Sequence, residues 1–167
     1  GSGINSGSGF NRFNTKLNLS YKITDNITIG DNFSFSKTRT DVAQNPLIDA
    51  YTAPPIFSVI NPATGDYQFF NGYSIPNPRA KLDQYRSQVR QERLLNNIWG
   101  ELKFLQDFTF RISYSSDNYR PTQYEYTPKL TYVPVANQVP STLITRDFKN
   151  SNYVWDNTIT WKKSLGN

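Results

Sequence analysis

Residues 13–35 of this chain are FNTKLNLSYKITDNITIGDNFSF, and this stretch decides the fold class. Apolar side chains occupy nearly every second position on both sides of the three residues 24–26, with polar side chains between them. Alternation with a period of two is typical of a β-strand with one apolar and one wet face. If Ile23 pairs with Ile27, all the apolar side chains share one face. The stretch therefore predicts an amphipathic β-hairpin.

The same pattern returns in residues 94–115, around a second three-residue connection at 105–107. Pairing Phe104 with Phe108 again brings the apolar positions of both strands onto one face. A last alternating strand is predicted at 153–161. These segments give at least five antiparallel strands, so we expect an all-β fold.

The connections differ sharply in length. Asn26 and Asp107 close the two short turns, where a residue that tolerates a left-handed backbone is expected. The other predicted connections are long, from about 38 to 91 and from about 119 to 152. Short turns at one end and long loops at the other are typical of outer-membrane barrels, which have short periplasmic turns and long extracellular loops.

The composition favours a membrane-spanning sheet rather than a soluble domain with a thick hydrophobic core. Hydrophobic residues make up 37% of the 167 residues and aromatic residues 15%, with eleven Tyr and eleven Phe. Aromatic side chains are favoured where apolar and wet surroundings meet. Barrel strands need only about 9–11 residues to cross a bilayer, close to the length of the strands predicted here. The fold class expected is thus a transmembrane β-barrel segment.

The residue types offer little for catalysis or metal binding. The chain has no Cys and no His, and its thirteen Asp and Glu are scattered. We therefore expect no enzyme activity, no metal and no cofactor. The net charge is +5, but Lys16, Lys22, Arg111 and Lys162 fall on the polar parity of predicted strands. On that side of the strands they would face the water-filled interior of a barrel. The positive charge therefore does not require a nucleic-acid partner, and we expect none.

Two regions are expected along the chain. Residues 1–10 are a flexible lead-in rich in Gly and Ser, and residues 11–167 are a partial β-barrel domain. Within the first long loop, residues 60–67 predict a small hairpin with its bend at Asn-Pro and Thr-Gly. Residues 81–93 fit either a short helix or the start of the next strand.

The chain resembles the early barrel region of the SusC/RagA family, which are TonB-dependent outer-membrane transporters of Bacteroidota. The resemblance lies in the stretches NTKLNLSYKITDNITIGDNFSFSKTRT, NPLIDAYTAPPIFSVINPATGDYQF, NPRAKLDQYRSQVRQERLLNNIWGELKFLQDFTFRISYSSDN and SNYVWDNTITWKKSLGN. It implies a large single-chain barrel of about 22 strands around an N-terminal plug. It also implies outer-membrane import of glycans or peptides, with a SusD-like surface lipoprotein as lid and the TonB complex as energy source. We expect the plug and the TonB box outside this chain, so no energy-coupling residue is transferred.

Two groups of residues are candidates for contacts. The predicted lipid-facing and aromatic-girdle positions are Leu17, Leu19, Tyr21, Ile29, Phe33, Leu102, Phe104, Phe108, Phe110 and Trp161. The predicted substrate or partner contacts, all in the first long loop, are Tyr51, Phe57, Tyr67, Phe69, Phe70 and Tyr73. Trp99, Glu101 and Lys103 share the polar parity of one strand and are expected to face the lumen.

Other assignments are compatible with the same pattern. A soluble β-sandwich that holds carbohydrate with aromatic loops is one of them. A different outer-membrane barrel, such as a siderophore receptor or a porin, is another. A sandwich needs no detergent, whereas both barrel alternatives contact membrane lipid.

Overall fold

The computed structural model describes residues 7–56, 58–68, 77–129 and 140–163. Six strands and two short helices lie within these ranges. They are β1 Gly9–Lys22, β2 Ile27–Asp41, α1 Leu47–Thr52, α2 Pro78–Gln84, β3 Arg86–Phe104, β4 Phe108–Thr127, β5 Thr142–Asp147 and β6 Asn150–Trp161.

The strands form one sheet in the order β1-β2-β3-β4-β5, and β6 also pairs with β4. Both partners of β4 are antiparallel to it: β6 pairs with residues 108–119 and β5 with residues 122–127. The all-β prediction is therefore confirmed. The described strands make an open sheet and do not close into a barrel.

The first turn forms as predicted, but by a different local interaction. The backbone N–H of Ile23 donates to the carbonyl of Ile27 at 2.9 Å, which confirms that these residues meet across the turn. The Thr24 hydroxyl oxygen accepts from the backbone N–H groups of Asn26 and Ile27. Asn26 has no positive φ, so the prediction of a left-handed backbone there was wrong. The threonine side chain closes the turn instead.

The second turn does use left-handed residues, but not the one predicted. Leu105 and Gln106 have φ values of 48° and 60°, whereas Asp107 has no positive φ. The left-handed backbone therefore occupies the first two of the three connecting positions. The rings of Phe104 and Phe108 stack with centroids 5.5 Å apart, which confirms their predicted pairing.

Strands extend further than their alternation indicates. β2 continues to Asp41, β3 begins at Arg86 and β4 runs to Thr127, so both long loops are shorter than predicted. β5 was not predicted at all. These added segments are mostly polar, with only scattered apolar side chains such as Val89 and Leu143, so they lack the sustained alternation that identified the other strands. In the undecided stretch 81–93, α2 ends at Gln84 and β3 starts two residues later.

The chain divides into two compact units. Unit 1 comprises residues 1–11, 38–90 and 122–147, and unit 2 comprises residues 12–37, 91–121 and 148–167.

Asn77 organises the loop region of unit 1. Its buried side-chain amide donates to the carbonyls of Val59 and Gln68 at 2.8 and 3.0 Å. Its side-chain oxygen accepts from the backbone N–H groups of Arg79 and Ala80, which caps α2. One buried side chain thus joins the start of α2 to the small hairpin, whose predicted closure is confirmed by the Ile60–Tyr67 bridge.

Candidate functional surface

One face of the sheet in unit 2 is apolar, and we call it the apolar face. Residues directly opposite each other in an antiparallel pair point to the same side of the sheet. The apolar positions of β4 and β6 are matched in this way. The matched pairs are Phe108–Trp161, Phe110–Ile159 and Tyr114–Trp155. The predicted parity of these two strands is therefore confirmed.

The apolar face is largely uncovered. Six of the ten predicted lipid-facing positions have side chains between 41% and 69% exposed, namely Leu17, Leu19, Tyr21, Ile29, Leu102 and Trp161. The other four are half-buried, namely Phe33, Phe104, Phe108 and Phe110. All ten lie in unit 2. Their contact with lipid stays a prediction.

An aromatic cluster lies at the end of the apolar face next to the short turns. Phe108 stacks on Phe104, and its ring is 6.3 Å from that of Trp161 in a second stacked pair. The three rings come from three adjacent strands, so they form a row across the sheet. The row includes three of the predicted girdle positions.

A second aromatic cluster lies further along the same strands and was not predicted as a girdle. Tyr114 stacks on Tyr153 with centroids 6.2 Å apart and meets Trp155 edge-on at 6.1 Å. The aromatic residues are visible in the sequence of each strand. Only the pairing of β4 with β6 shows that they form a cluster.

Beside the second cluster, the apolar face contains a groove of about 600 Å³ whose walls include Leu19, Ile29, Ile98 and Ile112.

Asp31 lies at an apolar-parity position of β2, and its carboxylate accepts from the Asn96 side-chain amide at 3.1 Å. Sequence reasoning missed this pair, although Asp31 visibly breaks the alternation of β2. The hydrogen bond partly satisfies both groups on an otherwise apolar surface.

The opposite, polar face of unit 2 holds a stacked arrangement around Trp99. The indole lies over Gly30, where an added Cβ would come within 2.4 Å of the ring atoms Cε2 and Cζ2. The Arg111 guanidinium lies 4.3 Å from the ring centroid and 3.8 Å from Glu101. Trp99 and Glu101 thus both contact Arg111, from the face that their shared parity predicts. Lys103 is exposed, and its backbone N–H donates to the carbonyl of Asn26.

Two of the predicted partner contacts are described, and both lie in the loop region of unit 1. Tyr51 is 91% exposed on α1. Tyr67 is half-buried, and its hydroxyl donates to Asp83 at 2.9 Å. Burial, followed by this hydrogen bond to a carboxylate, raises the pKa of Tyr67. The other four candidates, Phe57, Phe69, Phe70 and Tyr73, lie outside the described residues.

Unit 1 also contains a cavity of about 730 Å³ that sequence reasoning did not anticipate. Tyr85, Tyr124 and Tyr126 contribute aromatic walls. The Gln88 side-chain amide donates to Asp41 at 2.7 Å, and this bond lowers the pKa of the Asp41 carboxyl. Aromatic faces beside charged and amide groups suit polar ligands such as sugars or peptides.

No protein-family model matches this chain, and no curated protein matches it. In the ranges that the structure describes, no helix is long and apolar enough to cross a membrane. The same ranges contain no cluster of three or more acidic side chains that could hold a metal ion.

Proposed function

We propose that this chain forms part of the barrel wall of a TonB-dependent importer in the bacterial outer membrane, of the SusC/RagA type, which takes up glycans or peptides. The observation that supports it best is the uncovered apolar face of unit 2, bounded by an aromatic cluster at each end. Aromatic girdles at both edges of an apolar band are typical of transmembrane barrels.

The spacing of the two clusters fits a bilayer. Phe108 belongs to the first cluster, and Tyr153 of the second is paired with Ser116. Eight residues of strand span roughly 27 Å along the chain, and roughly 20 Å of depth in a strand tilted by about 40°. This is comparable to the apolar band of about 25 Å that outer-membrane barrels present to lipid.

Exposure of the apolar face favours a membrane over a soluble sandwich. Ile98 and Ile159 are 55% and 66% exposed, and Trp155 is 62% exposed. In a sandwich, such side chains would pack against a second sheet. Among the described residues no second sheet faces them, because all six strands belong to one sheet. Lipid would cover this face without a protein partner.

The polar face of unit 2 suits a water-filled lumen. Arg93 makes two hydrogen bonds to the Asp117 carboxylate, at 2.9 and 2.7 Å. Asn97 accepts from Asn32 and donates to Ser115 on the same side of the sheet. Polar networks of this kind are stable beside water and costly beside lipid.

The arrangement of connections supports an orientation. Both three-residue turns lie at one end of the strands, so we assign them to the periplasm. We assign residues 42–85 and 128–141 to the cell surface, where a SusD-like lipoprotein would contact exposed side chains such as Tyr51. The remaining strands of the barrel, its plug, TonB and outer-membrane lipid complete the proposed partners.

Single-cysteine labelling tests this orientation, since these 167 residues contain no cysteine and any cysteine elsewhere in the full-length protein can first be replaced by serine. In intact cells that express the full-length protein, a membrane-impermeant maleimide should label Ala63→Cys. Asp25→Cys should be labelled only after the outer membrane is disrupted. Labelling of Asp25→Cys with protection of Ala63→Cys would invert the orientation. Recovery of the protein as a soluble monomer without detergent would favour the sandwich instead.

A further inference from the structure

An acidic side chain interrupts the apolar face on β2. The Asp31 carboxylate accepts a hydrogen bond from the Asn96 side-chain amide at 3.1 Å, and both side chains are half-buried. The amide is neutral, and no lysine or arginine of the described residues forms an ion pair with Asp31. The hydrogen bond to Asn96 therefore leaves the negative charge of the carboxylate without a countercharge.

The pairing of β2 with β3 sets Asp31 opposite Ile98. The backbone N–H of Lys103 donates to the carbonyl of Asn26 at 2.8 Å, and the same register holds at the far end of β2. Five positions along each strand from this bond lie Asp31 and Ile98. Residues directly opposite each other point to the same side of the sheet. The Asp31 carboxylate thus lies beside an exposed apolar side chain.

Tyr114 follows Ile98 in the same row across the sheet. The stacked rings of Phe104 and Phe108 mark the register of β3 and β4, and six positions further along, Ile98 lies opposite Tyr114. Neighbouring strands are about 4.8 Å apart, so Asp31 and Tyr114 flank Ile98 at a separation of roughly 10 Å. All three residues line the groove of about 600 Å³ on the apolar face.

A carboxylate and an aromatic ring on either side of an apolar floor suit a small cation. An ammonium group above Ile98 would lie roughly midway between Asp31 and Tyr114. It could donate a charge-assisted hydrogen bond to the carboxylate and make a cation–π contact with the ring, which extends to about 6 Å. Trp155 meets Tyr114 edge-on and also lines the groove, so a second aromatic ring is near.

The rest of the groove favours a lipid over a free cation. Its walls include Leu19 and Ile29, which would contact an acyl chain. Charged side chains in a membrane are costly and are normally paired. Tyr114 and Trp155 belong to the second aromatic cluster, and aromatic side chains of a membrane protein are enriched at the depth of the lipid headgroups. A headgroup at that depth would bring its ammonium group to Asp31.

We propose that this groove binds a membrane lipid whose headgroup carries a primary ammonium group. The ammonium donates to Asp31 and lies against the Tyr114 ring, while an acyl chain contacts Leu19 and Ile29. The proposal rests on the proposed function, because it requires the apolar face to lie in a membrane.

The test compares the retention of three lipids by the full-length protein. The protein is reconstituted in vesicles that contain phosphatidylethanolamine, phosphatidylcholine and phosphatidylglycerol with matched acyl chains. Bound lipid is counted by native mass spectrometry after detergent extraction. Phosphatidylethanolamine has an ammonium group with N–H donors, phosphatidylcholine has one without donors, and phosphatidylglycerol has none. The parent protein should retain phosphatidylethanolamine most strongly and phosphatidylglycerol least.

Four variants test the two contacts. Asp31→Asn keeps the shape of the side chain but removes its charge, and it should retain phosphatidylethanolamine about tenfold more weakly, because hydrogen bonds to charged groups are the stronger ones. Asp156→Asn makes the same change on the polar parity of β6 and should behave like the parent. Tyr114→Leu should weaken retention about two- to fivefold, whereas Tyr114→Phe keeps the ring and should not.

Several results would overturn the site. Equal loss in Asp31→Asn and Asp156→Asn, or no loss in Asp31→Asn, would show that Asp31 does not hold a lipid. A loss in Asp31→Asn that is the same for all three lipids would refute the ammonium group as the feature recognised. A parent dimer that dissociates in Asp31→Asn with unchanged lipid retention would assign the groove to a second copy of the chain.

Vesicle insertion, measured by protease protection, separates the two proposals. If all variants insert but retention does not depend on Asp31, the lipid site is wrong and the barrel assignment stands. If the parent protein does not insert, both proposals fail.

Discussion

Arginine placed at Ile159 or Ile112 should destabilise the protein in a lipid bilayer, and the cost should grow with depth. Ile159 lies opposite Phe110, two residues from the Phe108 row, and Ile112 lies two residues further along β4. These positions are roughly 7 Å and 14 Å along the strand from the turn-side aromatic row. The cost of a buried arginine is about 2–4 kcal/mol at the bilayer midplane and falls to about 0–1 kcal/mol near the interfaces.

We therefore expect a cost of roughly 1–3 kcal/mol for Ile159→Arg and roughly 2–4 kcal/mol for Ile112→Arg, the deeper site. The free energy of unfolding is measured by urea denaturation of the full-length protein in lipid vesicles. Ile159→Ala and Ile112→Ala measure the loss of packing, and each arginine variant is compared with its alanine variant. Thr160→Arg is the matched control, because position 160 has the opposite parity on the same strand.

A water-exposed surface makes a different prediction. Ile159 is 66% exposed, and substitutions at exposed positions usually change stability by less than about 0.5 kcal/mol. The apolar face does not contact lipid if each arginine variant has a free energy of unfolding within about 0.5 kcal/mol of its alanine variant and of Thr160→Arg. A cost that is equal at the two depths would also argue against a bilayer.

Two further substitutions test particular contacts. Gly30→Ala should destabilise the protein by about 1–3 kcal/mol, because the new Cβ clashes with the Trp99 ring. In a Trp99→Ala background this cost should disappear. A cost that is unchanged in that background would refute the contact. Tyr67 has a raised pKa, so its contribution to stability should be intact below pH 10 and lost as the pH rises through the raised value. Tyr67→Phe should remove that alkaline loss, and the exposed Tyr51→Phe should not; identical pH profiles for both variants would disprove the role of the Asp83 hydrogen bond.

Much of unit 2 was predictable because its signals are local. Alternation of apolar and polar residues determines which side chains share a face, whatever the neighbouring strands are. The predicted meetings of Ile23 with Ile27 and of Phe104 with Phe108 were confirmed for this reason. The loop region was less predictable. Tyr67 was recognised as aromatic, but its bond to Asp83 joins residues sixteen positions apart and leaves no local pattern.

The sequence by itself determined the all-β class, the short turns and the parity of the apolar face, because alternation and turn composition act over a few residues. Only the tertiary structure decided the register between strands that no short turn joins. This register places Trp99 over Gly30, joins Asp31 to Asn96, and sets Tyr114 against Trp155. These pairs lie on strands joined by long connections, where no tight turn fixes which of several residues of the same parity meet.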